Sequence, residues 1–294
     1  SGTITQTDAT SLLKIDTVGT ITNSMIVHNV FATQSATLSG AITVNNATWD
    51  IETGDTLTVS GDISGTGGIT KNGTGTLVLS GSNSYSAPTV INAGTLNATT
   101  ANALGTNSAV QVNGGTLLVS ADDAINSKDI TLNTNGVGLQ FSGTYNGSIG
   151  LLTLSANSTL DLGTGSVIAR FSDIDFNGHN LSIYNWTGET LWGGTNRNNT
   201  DQVYIMAPVD PADLNRISFY SGNYESDSFL GAGFELGFSS GFADQIIPVP
   251  EPETWATAVI LLLGGMVWFL KRGKHSLKKK ADPSDIPSPL IETD

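Results

Sequence analysis

The feature that most constrains this chain is a repeat of about twenty residues. Short Thr-Leu units recur at Thr37-Leu38, Thr56-Leu57, Thr76-Leu77, Thr95-Leu96, Thr116-Leu117 and Thr159-Leu160. With Leu139 and Leu181 added, the leucines are separated by 19, 20, 19, 21, 22, 21 and 21 residues. A second series runs through Ile42, Ile63, Val90, Val110, Ile130, Leu152 and Ile174. Its one long step, 27 residues, places an inserted loop over Ser80–Pro88. Around these positions apolar and polar residues alternate with period two, as in Ile130-Thr131-Leu132, and Gly and Asn punctuate them. That is a strand pattern. A lone twenty-residue coil cannot bury its apolar face, but coils stacked about 4.8 Å apart can. The expected fold is all-β: a right-handed parallel β-helix of eight coils or so, roughly 38 Å long, with Leu and Ile inward and Thr, Ser and Asn outward. A β-sandwich is the alternative for short strands between turns.

Composition fits short strands between tight turns. The chain of 294 residues has 34 Gly and only 13% charged residues. It has no cysteine, which excludes thiol catalysis and cysteine-held metals. Residues 1–253 hold six basic and twenty-two acidic side chains, a net −16, which argues against nucleic-acid binding. The chain opens at Ser1 without an apolar signal segment, so a signal peptide has been removed or the sequence is a fragment.

The C-terminus has a different character. Trp255–Leu270 is an uncharged run of sixteen residues with Trp255 and Trp268 near its ends. Lys271, Arg272, Lys274 and Lys278–Lys280 follow. This pattern predicts one transmembrane helix over 255–270, with the basic end cytoplasmic and the N-terminal body outside. Immediately before it stands Val249-Pro250-Glu251-Pro252, extended and accessible because proline fixes φ and lacks a donor. The motif, apolar run and basic cluster together resemble the PEP-CTERM sorting signal over residues 248–272. The resemblance implies an exosortase-type membrane protease as partner, with delivery to the envelope or extracellular matrix. The family usually ends soon after its basic residues, whereas here ADPSDIPSPLIETD follows; residues 273–294 read as a basic and then disordered tail.

The stretch from Gly65 to Gly105 reads GTGGITKNGTGTLVLSGSNSYSAPTVINAGTLNATTANALG. Through Lys71, Gly73, Gly75, Gly81, Asn83, Tyr85 and Gly94 it resembles the autotransporter-associated β-strand repeat. That resemblance implies a secreted or surface passenger, and makes Lys71 a feature of the repeat rather than a catalytic group. The solenoid is expected over 38–183, preceded by a cap or first strands over 1–37. Residues 184–247 hold eleven of the twenty-one aromatics and read as a C-terminal cap, with an aromatic sugar-binding platform as the other reading. Within them Asp210-Pro211 predicts the start of a short helix.

Candidate chemistry is sparse. Asp173 and Asp175 share one strand face, with Arg170 and His179 nearby in sequence, and Asp122-Asp123 lies more than two coils away. Asp173 and Asp175 are the candidates for a polysaccharide hydrolase or lyase, and for weak Ca²⁺ binding. Asn177-Gly178-His179-Asn180 lacks the second Gly of the Gly-His-Gly segment of polygalacturonase-like enzymes. No His pair has zinc spacing, and no Gly-rich stretch ends in Gly-Lys-Ser/Thr. The expected function is therefore a non-enzymatic surface or matrix protein, structural or adhesive. It needs no cofactor, and its partners are exopolysaccharide or envelope glycans, the sorting protease and the membrane through a single helix. A polysaccharide-active β-helix enzyme is the alternative. Ice binding is a further one, although Thr56-Leu57-Thr58 does not recur in every coil.

Overall fold

In-register stacking organises the molecule. In the computed structural model, residues 2–106, 109–187, 201–207, 209–220, 229–236 and 244–249 are described. They form an all-β parallel solenoid of about nine coils. Each coil visits three faces, named here by a residue of each.

The leucine face stacks strands that include Gly19–Ile21, Ala36–Leu38, Thr56–Val59, Thr76–Leu79, Thr95–Ala98, Thr116–Val119, Val137–Phe141, Ser158–Asp161, Leu181–Tyr184 and Ile217–Tyr220. The lysine face carries Leu12–Ile15, Ile69–Asn72, Thr89–Ile91, Val110–Val112 and Ile130–Leu132. Met25–Ala32, Ile42–Ile51, Tyr145–Leu154 and Val167–Asp175 each turn a corner and end on that face. Their first halves lie on the tyrosine face, with Ile4–Thr5, Ile63–Ser64 and Gln202–Ile205.

The leucine ladder holds through its centre. Leu57, Leu77, Leu96, Leu117, Leu139 and Leu160 are stacked partners, each fully buried. Each buried leucine contributes roughly 2–3 kcal/mol relative to exposure. The two end positions differ from expectation. Leu57 pairs with Ala36, and Leu38 with Val59; Leu160 pairs with Ile183, and Leu181 with Ser158. Leu38 and Leu181 do point inward, one rung away, because residues two apart share a strand face.

The second series mixes two faces. Ile42 and Ile63 pair on the tyrosine face, whereas Thr89, Val110, Ile130, Leu152 and Ile174 form one ladder on the lysine face. Val90 faces outward, opposite Thr70 and Gln111. The 27-residue step is therefore a change of face, and Ser80–Pro88 holds no insertion: Ile69 pairs with Thr89, twenty residues on. Tyr85 within it is fully buried, and Ser84 N–H and Ser86 N–H donate to Ile63 O and Gly65 O at 2.7 and 3.1 Å.

The corners are tight. Gly40, Gly61 and Gly81 stack where the leucine face turns into the tyrosine face, and a Cβ on Gly61 would strike the Gly40 carbonyl oxygen. At the opposite corner Gly94 has φ +67°, in the left-handed region that costs glycine little.

The last coil is longer, with Ile168 opposite Gln202 and Leu181 opposite Ile217. Its strands are then met by antiparallel ones: Ile217–Tyr220 by Phe229–Leu236, and Gln202–Ile205 by Asp244–Val249. Trp186 packs edge-on to Phe219 at 4.7 Å, and Tyr184 stacks on Tyr220 at 4.4 Å. The predicted short helix is present as Pro211–Leu214, and Asp210 caps it by accepting from Ala212 N–H at 2.8 Å.

Candidate functional site

The repeat residues form buried staples between coils. Lys71 stacks between Trp49 and Ile91 and has no exposed surface. Its ammonium donates to the carbonyls of Asn72, Gly73 and Ala93 at 2.6, 2.8 and 3.3 Å, closing the corner and tying it to the next coil. Burial pulls its pKa down to about 8, against the opposing pull of Asp50. Asn83 accepts from Ile63 N–H at 2.8 Å and donates to Ala103 O at 2.5 Å, so one side chain bridges the coils before and after it. The Tyr85 hydroxyl bonds Thr89 Oγ1 at 2.7 Å, and burial raises its pKa. These polar groups use their bonding capacity on the backbone or on each other, which leaves Lys71 a structural role.

The acidic candidates are separated and locally occupied. Asp173 and Asp175 face solvent. Asp173 accepts from Ile174 N–H at 2.8 Å, and Asp175 from Asn177 N–H at 3.2 Å. His179 N–H closes a turn on Phe176 O at 2.7 Å. No group of three or more His, Asp or Glu able to hold a metal ion occurs among the described residues. Val249 ends a strand paired to Ala232. Pro250, Glu251, Pro252, Trp255, Trp268, Lys271 and Arg272 lie outside the described residues. No helix among the described residues is long and apolar enough to cross a membrane.

The outer surface is polar and laddered. Asn92 donates to Asn72 at 2.9 Å, and Asn113 to Asn92 at 3.0 Å, an amide column at the edge of the lysine face. On the leucine face Thr56, Thr76, Thr95 and Thr116 align. The neighbouring column reads Thr58, Val78, Asn97 and Leu118, so paired threonines do not persist.

A groove with a volume of about 340 Å³ interrupts this surface. It opens on the tyrosine face between two outward columns. Ser148, Arg170 and Tyr204 stack in register in one. Gly150 and Ser172 lie two residues along, with Met206 beyond them and half exposed at 54%. Gly150 lines the groove and lets the neighbouring coil approach closely: a Cβ there would meet the Asp129 carboxylate and the Ser127 carbonyl. Asp129 Oδ1 accepts from Leu151 N–H at 2.9 Å. Arg170 Nη1 donates to Asn146 Oδ1 at 2.6 Å, and its guanidinium lies 5.8 Å from the Tyr204 ring centre. Asn146 N–H in turn donates to Asp122 at 2.8 Å, so the fold links Asp122 and Arg170 through Asn146. Sequence patterns pointed to Arg170 only as a neighbour of Asp173. The signal for the groove was the repetition of Ser-Ile-Gly at 148–150 by Arg-Phe-Ser at 170–172, which acquires meaning once the register is known.

Comparison with known proteins agrees with the repeat reading. Residues 69–98 match the family model described as passenger-associated-transport-repeat. They span the staples Lys71, Asn83, Tyr85 and Thr89. Over 181 residues, 60% of this chain, the sequence is 32% identical to the adhesin BmaC autotransporter of Brucella suis biovar 1 (strain 1330). The match spans only 5% of that much longer protein. No solved structure matches the chain.

Proposed function

We propose that this chain is an exported, non-enzymatic surface or matrix protein, whose solenoid acts as a stiff adhesive passenger contacting polysaccharide or envelope glycans. The observation that carries this reading is the passenger-type repeat at 69–98, built into a stacked solenoid in which the buried Lys71 and Asn83 bond the backbone of neighbouring coils. Similarity to an autotransporter adhesin supports it. The aromatic-rich segment 184–247 serves as the C-terminal cap. Residues 248–272 serve as a PEP-CTERM sorting segment, with helix 255–270 spanning the cytoplasmic membrane in the precursor and the body held outside. An exosortase-type protease acts near Val249–Pro252 and releases the body to the cell surface or matrix.

Two measurements test this. Intact mass of the protein recovered from the cell surface or medium should end near Val249–Pro252; a mass retaining Asp294 would remove the processing step. Retention on exopolysaccharide of the producing cells should exceed that of an unrelated acidic β-helix; equal retention would remove glycans as the partner class. The enzymatic alternative finds little support, since Asp173 and Asp175 bond their own local backbone.

A further inference from the structure

We infer that the groove beside Gly150 is a binding subsite for one uncharged sugar residue of a neutral glycan, with Arg170 as donor and Asp129 as acceptor. The inference rests on the glycan-contacting reading above and assigns it a place and a ligand class.

The argument starts from the basic side chains. Among the described residues, Lys71 and Lys128 are buried, Lys14 pairs with Asp16 at 3.6 Å, and Arg216 pairs with Asp213 at 2.9 Å. Of the described lysines and arginines, Arg170 alone is both partly accessible and without an ion pair. Asn146 engages one terminal nitrogen, Nη1, and holds the guanidinium in place. The planar fork keeps its remaining N–H donors for a ligand. Asp129 is oriented through Oδ1 by Leu151 N–H, which leaves Oδ2 to accept. A fixed donor fork and a fixed carboxylate lining one depression suit the adjacent hydroxyls of a sugar. The hydroxyls of Ser127, Ser148 and Ser172 add adaptable partners, and exposed Met206 supplies an apolar patch for the C–H face of a pyranose. A volume of about 340 Å³ suits a single sugar ring rather than a chain.

Charge decides against an acidic ligand. Residues 1–253 carry a net −16, and Asp122, Asp123 and Asp129 stand on the coils nearest Arg170. A polyanion would meet that field before it reached the single guanidinium. An uncharged sugar meets no such barrier, and its affinity should hardly respond to salt.

The test uses the full 294-residue chain and a panel of immobilised polysaccharides: dextran, a galactan and a mannan as neutral members, alginate and polygalacturonate as acidic ones. Expected is retention on a neutral member, unchanged between about 0.05 and 0.5 M salt. Arg170→Gln and Asp129→Asn should each weaken it about tenfold or more, the loss of one hydrogen bond to a charged group. Ser172→Phe, at an exposed position, should block the groove without touching either charge. Lys14→Gln, a basic residue elsewhere, should bind as wild type, and thermal melts should show all variants folded. Retention on acidic members only, lost in salt, overturns the ligand class. Neutral binding that survives Arg170→Gln, Asp129→Asn and Ser172→Phe overturns the site while leaving the glycan reading standing. No retention on any member or on the exopolysaccharide of the producing cells overturns both.

Discussion

The ammonium of Lys71 donates to the carbonyl oxygen of Ala93, 22 residues further along, at 3.3 Å. The same nitrogen holds the Asn72 and Gly73 carbonyls of its own corner. One charge thus fastens a turn to the coil that follows, inside a site that water does not reach.

This staple gives a signature in alkali. Lys71 loses its proton near pH 8 when folded and near 10.5 when unfolded. Between those values the unfolded chain binds more protons, so stability rises with pH, by at most about 3 kcal/mol. Above about pH 10 the sign reverses. The buried Tyr85 and Tyr145 phenols have raised pKa values, so the unfolded chain gives up those protons first. Urea midpoints should climb from about pH 8 to 10 and then fall, whereas Lys71→Met should lose most of the climb and keep only the part due to Lys128, whose pKa burial also lowers. Parallel curves for the two proteins would refute the assignment.

Asn83 is expected to be costly to replace. Asn83→Ala leaves Ile63 N–H and Ala103 C=O buried without partners, a loss of about 2–4 kcal/mol. Tyr85→Phe strands the Thr89 hydroxyl and should cost about 1–3 kcal/mol. Adding Thr89→Val should recover most of that loss. A double-mutant cycle in denaturant measures the coupling, and additive losses would mean the hydroxyl pair is not the interaction at stake.

Gly61→Ala should cost about 3 kcal/mol or more, because the neighbour it strikes is backbone on the adjacent coil. Gly136→Ala is the matched control. Its Cβ would find only Thr134 Oγ1, at 3.8 Å, and should be neutral or stabilise by up to about 1 kcal/mol. Thermal midpoints of the two variants, measured side by side, should separate clearly.

Calcium should leave the protein unmoved. Among the described residues Asp173 and Asp175 have no third carboxylate with which to complete a ligand set, and each already accepts a local N–H. A site filled at about 1 mM Ca²⁺ would raise the melting temperature by mass action. No shift is expected in wild type, Asp173→Asn or Asp175→Asn; a shift lost in the variants would restore the pair as a metal site.

How much could be read beforehand differed by face. The leucine face was legible because parallel in-register stacking sets like residues on like, and Leu57 through Leu160 repeat one rung. Identity alone cannot fix register, so Leu38 and Leu181 were placed two residues out of step. The tyrosine face was not legible, since Asn83 and Tyr85 occupy inward positions where an aliphatic alternation would be sought. The groove was hidden for a similar reason. Ser148, Gly150 and Arg170 carry no signature until Ser148 and Arg170 are known to be neighbours.

The coil geometry also says how the molecule would bear load. Successive coils are joined by backbone bonds running along the stack, and chain entry and exit lie at opposite ends of the ladders. A pull on the two ends opens those bonds a row at a time instead of shearing many together. Each released coil of some twenty residues adds roughly 70 Å of slack. Such a tether would yield stepwise under shear flow and rewind from its intact coils when the force subsides.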